Sequence, residues 1–146
     1  METLPGKKIT RTFRHHHLFT LSTSRNNLPW CAPCFYVYDQ INNRLVFTSD
    51  HDTRHIDEAI ENRNVSGAIA LETRFIGKIR GIQFSGTLRE CVGKEYPPAR
   101  KLYLHRFPYT IHYLSGTALW ELKLTYIKMT DNRMGFGKKL IWCKNS

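Results

Sequence analysis

Residues 81–88 read Gly-Ile-Gln-Phe-Ser-Gly-Thr-Leu, with apolar Ile82, Phe84 and Leu88 on one parity and only Gly86 between them. A period of two cannot draw a stripe along a helix; it makes a strand with one dry and one wet face. Aromatic and β-branched runs of the same kind recur at 18–23, 34–39, 44–48, 65–73, 119–124 and 140–142. Turn residues separate them: Ser24-Arg25-Asn26-Asn27 after the first, and Asn42-Asn43 between the second and third, which reads as an antiparallel hairpin. The period changes in only two places. Within 50–62, Ile56, Ala59 and Ile60 fall at helical spacing, with Ser49, Asp50 or Asp52 available as cap. After Pro97 and Pro98, which suit a first helical turn, Tyr96, Ala99, Leu102 and Tyr103 give a second apolar stripe that ends near Phe107-Pro108. Six or seven antiparallel strands with two short helices predict a mainly β fold, a small closed or partly closed barrel. No repeat, linker or low-complexity stretch divides the 146 residues, so a single domain over 1–146 is expected.

Charge narrows the class of partner. Twenty-two Lys and Arg stand against 12 Asp and Glu, a formal charge of +10, which favours an anionic ligand or surface. Eight basic and three acidic residues fall in 72–106, and six basic and one acidic in 123–146, whereas 26–71 holds three Arg and six acids. The basic residues alternate with apolar ones, as on strands whose wet face is cationic, and form no disordered basic arm. No apolar stretch approaches the ~20 residues that span a bilayer. The opening Met-Glu-Thr-Leu-Pro-Gly-Lys-Lys lacks the apolar run of a signal peptide, so a cytoplasmic protein with reduced cysteines is expected. A disulfide scaffold, a membrane helix and a coiled coil are excluded as organising principles.

Trp30-Cys31-Ala32-Pro33-Cys34 has the spacing of a dithiol redox motif. That chemistry needs the first thiol at a helix N-terminus, where the dipole favours its thiolate. Here a strand-like Phe35-Tyr36-Val37-Tyr38 follows, so the pair reads as two buried thiols entering a strand. Cys91 and Cys143 are far apart and unpaired, and three consecutive histidines before a strand (His15, His16, His17) point in different directions. No metal site is expected.

The segment 47–55, Phe-Thr-Ser-Asp-His-Asp-Thr-Arg-His, runs from a strand end into a helix start. Free amide donors, hydroxyls and a guanidinium converge there as a phosphate requires. The same residues would also serve an ordinary capped helix with Arg54 in solvent, and the residue chemistry leaves both readings open.

Taken together, several short motifs resemble the FMN-binding split-barrel family of pyridoxamine 5′-phosphate oxidase-like proteins, and within it a short bacterial branch, the YhbP-like proteins. They are Pro29-Trp30-Cys31-Ala32 with Phe35-Tyr36, Phe47-Thr48 with Thr53-Arg54-His55, Arg80-Gly81-Ile82-Gln83-Phe84-Ser85-Gly86, Arg106-Phe107-Pro108, and Trp120-Glu121-Leu122. Asp131-Asn132, Gly135-Phe136-Gly137-Lys138-Lys139 and Ile141-Trp142 complete the series, so the likeness covers nearly the whole chain. It implies an antiparallel split barrel that forms a homodimer, with one flavin in each of two interface grooves. Carried over, Thr53 and Arg54 would bind the FMN phosphate, and His55 would replace the family's Lys. Thr48 and Ser49 would lie beside the ribityl-phosphate, Tyr36 would border the isoalloxazine ring, Arg80 and Gln83 would face the groove, and Trp120 would come from the partner subunit. His55 removes one fixed positive charge at neutral pH. The chain also lacks the C-terminal Arg-Leu-His and Arg signature of true pyridoxamine phosphate oxidases, so another substrate is expected.

The resemblance adds a lesser option, since some such barrels bind haem through a histidine and His15–17 precede a strand. Gly135-Phe136-Gly137-Lys138-Lys139 could cradle a phosphate, but reads better as a turn with solvated lysines. The leading expectation is a flavin-dependent reductase or oxidase with a small-molecule substrate. Its rival is a non-catalytic basic barrel that binds nucleic acid through aromatic strands.

Overall fold

The computed structural model describes residues 3–145. Seven antiparallel strands form one sheet: β1 (Leu18–Arg25), β2 (Leu28–Asp39), β3 (Arg44–Thr48), β4 (Asn64–Ala70), β5 (Arg80–Glu90), β6 (Leu119–Asp131) and β7 (Lys139–Cys143). Their order is β3-β2-β1-β4-β5-β6-β7, and a further β3–β6 pairing closes the first six into a barrel. One edge of β6 does two jobs. Its residues Leu119 to Lys123 pair with β3, and Tyr126 to Thr130 on the same edge pair with β7. The barrel is therefore closed along only half of its longest strand, which makes it a split barrel. Gly86 sits at the register shift where β5 crosses β6; a Cβ there would come within 2.0 Å of the Lys123 carbonyl oxygen, so no larger residue fits.

The β1–β2 hairpin turns on Asn26 and Asn27, both with positive φ (51° and 65°), between the paired Arg25 and Leu28. Asparagine tolerates this left-handed backbone, and a two-residue turn with both φ positive matches the strand twist. Strand β2 thus starts at Leu28 and not at Cys34. Its first eight residues pair only with β1, because β3 joins from Tyr36 onward. A free edge tolerates Pro29 and Pro33, which have no amide proton to donate.

Three α-helices cover the barrel, where the sequence predicted two: α1 (Lys7–His15), α2 (Arg54–Glu61) and α3 (Tyr96–Arg106). Helix α1 escaped the sequence reading because it is short, carries β-branched Ile9, Thr10 and Thr12, and has no side-chain N-cap at Gly6. Only Ile9 and Phe13, at i and i+4, bind it to the core, where both are buried and the Phe13 ring stacks on Tyr38. Helix α2 sends Ile56 and Ala59 into the same core. Helix α3 lies outside the barrel, and its Ala99 and Tyr103 form a second cluster with Phe107, Leu119 and Val46. Strand β3 divides by parity, with Leu45 and Phe47 facing inward and Val46 outward under α3. No helix among the described residues is long and apolar enough to cross a membrane.

Candidate functional site

The end of β3 and the start of α2 form a corner fixed from below by the core. The indole N–H of Trp120 donates to the Ser49 carbonyl (2.8 Å), and the Ser49 amide donates to the Ala118 carbonyl (3.4 Å). The Thr48 hydroxyl lies 3.4 Å from the Tyr103 hydroxyl. On this base, the Ser49 hydroxyl sits 2.6 Å from His55 Nε2, and the Thr53 hydroxyl 3.4 Å from the same nitrogen. Two hydroxyls and an imidazole thus converge within one turn of chain, all half-buried.

Thr53 is the N-cap of α2, but its hydroxyl accepts no capping bond and donates back to the Asp50 carbonyl (2.8 Å). The first-turn amides of α2 therefore have no side-chain acceptor, which leaves the donors and positive dipole end an anion would use. Burial holds the His55 pKa below its ordinary value. The ring is neutral at neutral pH and adds no fixed positive charge.

Arg54, the exposed cation at this corner, is oriented and not free. Its guanidinium carbon lies 4.0 Å from the centroid of the Trp30 ring, and its Nε is 3.4 Å from Glu58 Oε2. Stacking on an indole face directs a guanidinium while leaving its edge open for a bidentate partner. The side chain stays 47% exposed. Trp30 belongs to one of the motifs, but its role is not readable from the motif alone. Glu58 at i+4 from Arg54 is the signal from which the ion pair could have been read.

Other expected site residues lie elsewhere. Tyr36 is fully buried and its hydroxyl donates to the Phe13 carbonyl (2.7 Å), so it faces the core and borders no groove; its neighbour Phe35 is the exposed one. Trp120, expected from a partner subunit, is 2% exposed and hydrogen-bonded to Ser49 of its own chain, so it is a core residue. Gln83 lies exposed on the outer sheet face, opposite Ala68 and Lys128. Arg80 lines a cavity against α1 and lies opposite Asp131 in the β5–β6 ladder, at the other end of β6 from Leu119, the register partner of Thr48. Cys31 and Cys34 lie within β2 and not at a helix start; only Cys34 is buried, and burial pushes its thiol up to about 12. Gly135 and Gly137 occupy an exposed turn with φ of 138° and 74°. No cluster of three or more His, Cys, Asp or Glu able to hold a metal ion occurs among the described residues.

No family model matches the chain. Curated relatives do. UPF0306 proteins of Yersinia pseudotuberculosis (strain IP 31758) and Yersinia pestis (strain Angola) are each 39% identical over 136 residues, covering 93% of this chain and 91% of theirs. The chain belongs to the UPF0306 family. Solved structures give this UPF0306 protein its fold. A haem-binding protein from Mycobacterium smegmatis superposes with a TM-score of 0.75 at 18% identity, over 91% of this chain and 55% of that one. An FAD-binding protein from the same organism gives 0.70 at 18%, over 88% and 96%. A NimC/NimA family protein from Clostridium acetobutylicum gives 0.70 at 15%, over 93% and 90%. At such identities the likeness carries architecture alone, and the architecture is the pyridoxamine 5′-phosphate oxidase-like split barrel.

Proposed function

We propose that this UPF0306 protein binds FMN and uses it as a flavin-dependent oxidoreductase on a small-molecule substrate. The phosphate would lie at the corner of Ser49, Thr53, Arg54 and His55, beside Thr48. The observation that carries this reading is the uncapped first turn of α2, with two hydroxyls and an imidazole gathered beside it and a half-exposed guanidinium aimed by Trp30. These residues fit a phosphate ester by chemistry: neutral donors for its oxygens and one cation for its charge. Structural neighbours that bind FAD or haem support a cofactor of this class. When bound, the flavin supplies the electron or hydride exchange, while the protein anchors the phosphate and shields the site from water. A homodimer is part of the proposal. Leu18 and Phe35, neighbours across β1 and β2, are both exposed on the outer face of the sheet, and a second copy would bury them.

Titrating the full chain with FMN, wild type against Arg54→Ala, tests the reading. Loss of one charged hydrogen-bonding partner should weaken FMN by about 1.5–3 kcal/mol. A variant that binds FMN as tightly as the wild type contradicts the assignment of Arg54. Saturable, salt-dependent binding of single-stranded oligonucleotides in the absence of FMN binding would instead favour a nucleic-acid function.

A further inference from the structure

The cavity that holds Arg80 lies between α1, the start of β5 and the end of β6, with a volume of about 330 Å³, at the small end of the ~300–1,000 Å³ range of ligand pockets. Its charged lining is nearly all of one sign. Lys8 and Arg11 come from α1, Arg80 from β5 and Arg133 from beyond β6, and the imidazoles of His15 and His16 lie beside them. The single carboxylate in the lining is Asp131, and Arg133 engages both of its oxygens, through Nε (3.0 Å) and Nη2 (2.8 Å). That pair is neutral as a unit. Lys8 rests its ammonium against the Met134 sulfur, while the guanidinium groups of Arg11 and Arg80 make no hydrogen bond or ion pair among the described residues.

The dipole at the carboxyl end of α1 favours basic residues on that helix. It does not account for Arg80, which a different element brings to the same cavity and holds half-buried without an anion. A partly desolvated cation ordinarily has a partner. Repulsion inside the cavity is felt by His16, whose pKa lies below its ordinary value through burial first, then His15, Arg80 and His17. The floor is apolar, made by buried Met129 and half-buried Leu71.

We infer that this cavity is a second anion site, separate from the corner at Thr53, and that it takes a small organic phosphate: charged end on Arg80, Arg11 and His16, compact apolar body on Leu71 and Met129. The inference does not depend on flavin binding.

Calorimetric titration of the full chain with phenyl phosphate at low salt tests it, with phenol as the uncharged comparison. The expected result is saturable binding of phenyl phosphate and none of phenol. Arg80→Ala and Arg11→Ala should each lower the affinity of this site by on the order of tenfold, the effect of one charged hydrogen bond, while Arg54→Ala, which weakens only the corner at Thr53, should leave this site saturable. Arg11 is exposed, so R11A keeps the fold and decides the matter if R80A does not. Absence of saturable binding overturns the inference. So does binding that R54A abolishes and R11A spares, since that places the anion at the other corner.

Discussion

Glu121 is the acid whose removal should cost this fold most. Its side chain is 4% exposed, and both oxygens are engaged: Arg44 Nη1 donates to Oε2 (2.6 Å) and Arg89 Nε to Oε1. Arg44 is itself nearly buried and also donates to Asp39 (2.8 Å). Glu121→Gln keeps the shape and removes the charge. Removing one partner of a buried pair costs roughly 3–5 kcal/mol, because the other charge is stranded. Two features put this case at the low end. Arg44 keeps Asp39, and Arg89, which is 53% exposed and retains Glu95 at 3.0 Å, can turn to water. A loss of about 3 kcal/mol is therefore expected from a total of roughly 5–15 kcal/mol. Urea unfolding should show it as a lower midpoint with an unchanged slope. The pH dependence supplies an independent reading. Burial opposes ionisation of Glu121 and Asp39, but hydrogen bonds outweigh it, from Arg44 and Arg89 on the one and from Asn42 and Arg44 on the other, and both pKa values lie below their ordinary 4.5 and 3.8. Stability from such groups is complete above those ordinary values and is lost as pH falls through the folded-state ones. The wild type should lose more stability below about pH 4 than E121Q does. A loss under about 1 kcal/mol at neutral pH, in the range of exposed ion pairs, would refute the reasoning by showing that water screens the cluster.

Two further outcomes follow from the cavities and strands. Burial keeps the His55 ring below its ordinary 6.5, and a phosphate at Ser49 and Thr53 would raise it. FMN affinity in the wild type should therefore gain relative to His55→Lys as pH falls from about 8 to about 6; the second ionisation of the FMN phosphate, near 6, is common to both proteins. Parallel pH profiles would separate His55 from the phosphate. In the folded protein Cys31 and Cys143 should react with a thiol reagent, while buried Cys34 and Cys91, their thiols pushed up to about 12 and about 11, should react only after denaturation. Mass spectrometry of the native adducts counts them, and prompt labelling of Cys34 would contradict its burial.

Much of the fold was legible because strands announce themselves by parity. Ile82, Phe84 and Leu88 are all buried, as their alternation requires. Parity fails where two adjacent residues are both aromatic or both covered. Phe35 and Tyr36 could each face the core, and a shift of one residue exchanges them; the groove position of Tyr36 rests on the resemblance alone, and its burial overturns it. Leu119 and Trp120 are both buried because β6 has the barrel interior on one side and α3 on the other. The residues of the corner, Thr48 to His55, were readable as a strand end meeting a helix start. The stack of Arg54 on Trp30 was not, since it depends on the proline-bearing first half of β2 pairing with β1. The cavity at Arg80 was hidden for a similar reason: half its wall is α1, whose only apolar signal is Ile9 and Phe13.

The phosphate corner is tested most directly by comparing FMN with riboflavin, which carries the same ring system and ribityl chain and no phosphate. Quenching of flavin fluorescence on titration with the folded protein should show one FMN per chain. Riboflavin should bind at least about tenfold more weakly, the least that one charged hydrogen bond to the phosphate contributes. Equal affinity for the two, or no quenching by FMN with the protein folded, would contradict a flavin anchored at Ser49, Thr53, Arg54 and His55.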